Sequence, residues 1–60
     1  MLNDKEIRDL YNKLEGEYED GGYVSRATLF NRALTEGRIN EQTRDQARGY
    51  YGKLWNYVGD

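Results

Sequence analysis

Apolar side chains recur along this chain at spacings of three and four, never more than two in a row, and the rhythm divides it into three stretches. In the first, Ile7, Leu10, Tyr11, Leu14 and Tyr18 form one stripe. Asn3 followed by Glu6 is a capping-box pair, and Leu2 and Ile7 stand where a hydrophobic staple would join them. Asp4/Arg8 and Asp9/Lys13 are i,i+4 pairs for the wet side. The pattern predicts a helix to about Glu19, ended by Gly21-Gly22.

The second stretch opens at Ser25, an N-cap residue with Val24 and Leu29 as a further staple. Leu29, Phe30, Ala33 and Leu34 give its buried face, Gly37 its left-handed stop, and Ile39 closes over the end. For the third, Asn40 is one candidate cap and Thr43 with Gln46 another, and Glu41 places negative charge at the positive end of the helix dipole. Ala47, Tyr50, Tyr51, Leu54 and Val58 then repeat at helical spacing, with Trp55 beside them and Tyr57 on the other flank.

These patterns predict an all-α fold, a compact three-helix domain spanning residues 1–60. Its expected core is Ile7, Leu10, Leu14, Leu29, Phe30, Leu34, Ala47, Leu54 and Val58. Gly16, Gly49 and Gly52 disturb the helical pattern, because an interior glycine costs about 1 kcal/mol relative to alanine. Close packing, fraying or the approach of a partner would each account for Gly49 and Gly52.

Composition narrows the chemistry. The chain has neither Cys nor His, which removes disulfides, thiolate nucleophiles, imidazole bases and the usual zinc ligands. No cofactor or metal is implied. With no long apolar run and no signal-peptide pattern, a cytoplasmic, intracellular setting is expected and no membrane partner. Counted from Glu15, a calcium loop would need Gly where Asp20 stands and Glu where Arg26 stands, so that template fails. Gly21-Gly22 lacks the strand and the Lys-Ser or Lys-Thr pair of a phosphate loop, and Ser25 lacks a base to activate it. The sequence therefore reads as a non-enzyme.

What remains is a surplus of six tyrosines, one tryptophan and several arginines, the residue types enriched at interface hot spots. On a helical wheel Arg44, Arg48, Tyr51 and Trp55 share one edge of the third helix, and Tyr50 and Tyr57 lie on the other. This predicts a small protein-binding module whose partner is another protein or a second copy in a homodimer. Its size and acidity suit a regulator or inhibitor of the kind phages and mobile elements encode. The acidic run Glu15, Glu17, Glu19 and Asp20 could imitate phosphates toward such a target.

The alternative is DNA binding. Val24-Ser25-Arg26-Ala27-Thr28-Leu29-Phe30 resembles the start of a recognition helix in helix-turn-helix proteins of the resolvase and TetR-like kinds, here over residues 25–34. The resemblance implies that the residues around Arg26, Ala27 and Thr28 face DNA, and Arg32, one of five arginines that could form a basic face on the second half, is the further candidate contact beside Arg26 and Thr28. Against it, Glu19 stands where a small packing residue belongs, and the net charge is −2, with seven acids and three bases in residues 1–20 and four acids and six bases in 21–60.

Overall fold

The computed structural model describes residues 1–18 and 24–58. Three α-helices appear, α1 (Asp4–Glu17), α2 (Arg26–Thr35) and α3 (Glu41–Tyr51), followed by a single 3-10 turn at Gly52–Leu54. Among the described residues there is no strand. The stop expected at Gly21-Gly22, and the residues Glu19 and Asp20 of the acidic run, lie outside the described residues.

Local chemistry fixes where each helix begins. The Asn3 side chain accepts from the Glu6 amide at 2.8 Å while the Glu6 carboxylate accepts from the Asn3 amide at 2.9 Å, completing the capping box. Ser25 Oγ accepts from the Thr28 amide at 3.1 Å. Asn40, rather than Thr43, caps α3, its side-chain oxygen accepting from the Thr43 amide at 2.8 Å. At the end of α2, Gly37 turns to φ +76°, and the amides of Gly37 and Arg38 donate to Leu34 and Ala33 carbonyls at 3.0 and 2.9 Å. These two reversed bonds are the Schellman arrangement, and they aim the chain directly into α3.

α2 packs against both other helices, and α1 and α3 meet each other least. The core holds Ile7, Leu14 and Tyr18 from α1, Leu29, Phe30 and Ala33 from α2, Ala47 from α3, and Trp55 from beyond it. Phe30 is its centre, fully buried, with the Trp55 ring stacked at 5.4 Å and Tyr51 tilted against it at 6.2 Å. Leu10 is only partly buried at the margin of the core, and Leu34 is half-buried.

The third helix departs from expectation. It ends at Tyr51 because Gly52 adopts φ +53°, ψ −116°, a conformation L side chains rarely adopt. Beyond that turn the helical register no longer applies. Leu54 and Val58, expected in the core, are 48% and 54% exposed, and Trp55, expected on the surface edge, is 6% exposed. The positions a Cβ would occupy at Gly16 and Gly49 are open, so close packing explains neither glycine.

Candidate functional site

The proposed aromatic and arginine edge of α3 is divided by the fold. Trp55 belongs to the core, and its carbonyl accepts from the Ala27 amide at 2.9 Å, in the first turn of α2. Tyr51 is half-buried, with the Tyr11 ring at 5.7 Å and the Tyr50 ring at 4.9 Å, both edge to face. Arg44 bonds Asp45 Oδ1 and Asn31 Oδ1, both at 2.7 Å, tying α3 to α2. Arg48 is exposed and has no hydrogen-bond or ion-pair partner among the described residues.

Arg26 is the residue whose role the sequence did not reveal. Its guanidinium lies over the Tyr11 and Tyr51 rings at 4.8 and 4.9 Å, and its Nη1 donates to the Leu54 carbonyl at 3.2 Å. Its Nε is buried without a hydrogen-bond acceptor among the described residues, and the two π faces are what offset the desolvation of the charge. Burial raises the hydroxyl pKa values of both tyrosines. For Tyr11 the bond to Glu15 adds to the rise, and for Tyr51 the Arg26 charge opposes it. Arg26 and the Ala27 amide together hold the segment after α3 across the start of α2.

A second tyrosine and arginine cluster joins the end of α1 to the turn between α2 and α3. The Tyr18 ring is buried, with Arg32 over it at 4.3 Å and Arg38 at 5.3 Å, and its hydroxyl donates to Glu36 Oε1 at 2.6 Å. That hydrogen bond, with the nearby Arg32, holds the Glu36 carboxyl below its ordinary range. Arg32 also pairs with Glu36 at 3.4 Å, and Arg38 with Glu17. In α1, Asp9 pairs with Lys5 at 2.9 Å rather than with Lys13, and Arg8 reaches across to donate to the Tyr50 hydroxyl at 2.9 Å.

For the residues the helix-turn-helix resemblance implies, these contacts have a direct consequence. Arg26 lies over two tyrosine rings, Arg32 is paired with a carboxylate, and Thr28 is exposed with its hydroxyl bonded to that of Ser25 at 2.9 Å. An open groove of about 580 Å³ runs along this side of α2 and is lined by Thr28, Asn31, Arg32, Thr35, Glu36 and Asn56 among others. It holds one charge of each sign, so it has no net basic character.

Apolar surface is left elsewhere. Tyr50, Leu54, Tyr57 and Val58 are 36%, 48%, 50% and 54% exposed, four large side chains within nine residues. From Gln46 to Val58 the chain has two bases, Arg48 and Lys53, and no acid. Leu54 and Val58 are the residues that sequence reasoning missed here. Gly52 was the signal, since a glycine that stops α3 frees the following side chains from its buried face. Among the described residues no helix is long and apolar enough to cross a membrane, and no group of three or more carboxylates could hold a metal ion. No protein-family model, curated protein or solved structure matches the chain.

Proposed function

We propose that this protein is a small, non-enzymatic binding module, a regulator or inhibitor that recognises another protein through the segment after α3. The observation that carries this reading is the exposure of Tyr50, Leu54, Tyr57 and Val58 around a stretch that has bases and no acids. An interface core favours large apolar and aromatic side chains, and a rim of unpaired cations adds orientation and a faster encounter. Of the residues named from sequence, Arg48, Tyr50 and Tyr57 remain available for contact, while Tyr51, Trp55 and Arg44 hold that surface in place.

The pairing of Arg32, Arg38 and Arg44 with carboxylates favours this reading over DNA binding, because those cations are already partly neutralised. The test is photo-cross-linking in extract of the source cells, with the cross-linker at position 57 in one sample and at position 28 in another. Position 57 is expected to capture a protein and position 28 to capture none. Capture from position 28 alone, or a shift of the protein onto a short DNA duplex that weakens steeply with salt, would refute the proposal.

A further inference from the structure

We infer that the partner of this surface is an acidic segment of another protein, one that sets apolar side chains on Leu54, Tyr57 and Val58 and carboxylates on the cations around them. The inference rests on the reading of the segment after α3 as a binding surface, and goes beyond it by giving the chemistry of what binds. Its ground is a row of contacts that runs from α1 to Tyr57. Arg8 donates to the Tyr50 hydroxyl at 2.9 Å, the Tyr50 ring meets Tyr51 at 4.9 Å, and Arg26 lies over Tyr51 at 4.9 Å. The Leu54 carbonyl then accepts twice, from Arg26 Nη1 and from the Tyr57 amide, both at 3.2 Å. One cation stands at the far end of the aromatic row, and another is bonded to the turn that carries Leu54 and Tyr57.

The charges along this row do not cancel within the fold. Among the described residues neither Arg8 nor Arg26 has a carboxylate at ion-pair distance, and Arg48 and Lys53 are exposed and likewise unpaired. Against these bases, Glu15 accepts from the Tyr11 hydroxyl at 2.8 Å, Asp4 stands one turn before Arg8, and Asp9 is already held by Lys5 at 2.9 Å. The balance is positive on a chain whose net charge is −2. Exposed apolar side chains edged by unpaired cations are complementary to apolar residues flanked by carboxylates. Arg26 is partly exposed, and the Tyr11 and Tyr51 rings under its guanidinium hold it in place, so little freedom is lost when a carboxylate pairs with it. A nucleic acid fits less well, because the net charge and Glu15 oppose its phosphates, and Leu54 and Val58 offer its bases no ring to stack on.

Panning a displayed library of random linear peptides on the purified chain tests this. The enriched peptides are expected to carry Asp or Glu on both sides of Leu, Ile or aromatic residues. With helicity by circular dichroism unchanged, Leu54→Lys is expected to weaken their binding at least about tenfold. Lys53→Glu is expected to weaken it about fivefold, an effect lost at high salt. Lys13→Glu makes the same change of charge on the opposite side of α1 from Glu15, and is expected to weaken it less than about twofold. No enrichment, enrichment of basic or purely apolar peptides, or equal losses with Lys53→Glu and Lys13→Glu overturns the inference. So does tighter binding to a short single-stranded DNA than to any selected peptide, which would give the surface to a nucleic acid. Capture of a protein through position 57 that Lys53→Glu leaves unchanged overturns the acidic partner alone and leaves the binding surface standing.

Discussion

Two parts of this molecule are built from the same residue types and do opposite things with them. Around Tyr18, a buried tyrosine ring is covered by Arg32 and Arg38, and its hydroxyl and both cations are matched by Glu36 and Glu17. After Gly52, Tyr57 is half exposed and the nearby bases Arg48 and Lys53 have no carboxylate partner among the described residues. Tyrosine and arginine content therefore says little about binding by itself. What distinguishes a surface for recognition is whether those groups already have partners within the fold.

The largest expected difference between the two regions is in stability. Tyr18→Ala removes a buried ring and should cost about 3–5 kcal/mol, close to the whole stability of a domain this small, whereas Tyr57→Ala should stay within about 0.5 kcal/mol. Equal effects in urea melts would erase the distinction. Gly52→Ala places a side chain at φ +53° and should cost about 1–3 kcal/mol, with loss of the register that buries Trp55. Unchanged stability would mean that the turn is not held in that conformation.

The Tyr18 cluster also gives a pH signature. The folded pKa of Glu36 is lowered, so its contribution is present above the ordinary carboxylate range and is lost as pH falls through the lowered value. Glu36→Gln should therefore flatten the acid limb of the stability profile, and an unchanged limb would count against the cluster. Burial raises the pKa values of Tyr11 and Tyr51 above the ordinary tyrosine range near 10, so the reverse holds there. That stability is full below pH 10 and falls as pH rises through the raised values. The smallest effect belongs to Gly49, where alanine meets no atom within 4 Å and should stabilise α3 by about 0.5–1 kcal/mol. A destabilised Gly49→Ala would show that something packs there.

Sequence and structure agree most closely where the physics is local. Asn3 with Glu6, Ser25, Asn40 and Gly37 each act within four or five residues, and each does what its pattern predicts. The fold class and the core positions Ile7, Leu14, Leu29 and Phe30 follow from periodicity in the same way, whereas Leu10 and Leu34, expected in the core, are only partly buried. A helical wheel continued past Gly52 runs through a residue that ends the helix, so it exchanges Trp55 with Leu54 and Val58. Arg26 was legible only as a possible DNA contact, because its partners Tyr11, Tyr51 and the Leu54 carbonyl come from distant parts of the chain. Such pairings depend on tertiary approach and leave no mark at fixed spacing.

Neighbouring residues give the most direct test of where the molecule's interior stops and its binding surface starts. Urea unfolding of Trp55→Ala and Leu54→Ala, followed by circular dichroism, should show a loss of about 3–5 kcal/mol for the first and less than about 1 kcal/mol for the second. The reverse order would mean that α3 continues through Gly52, with Leu54 in the core and Trp55 outside, and would contradict the surface described here.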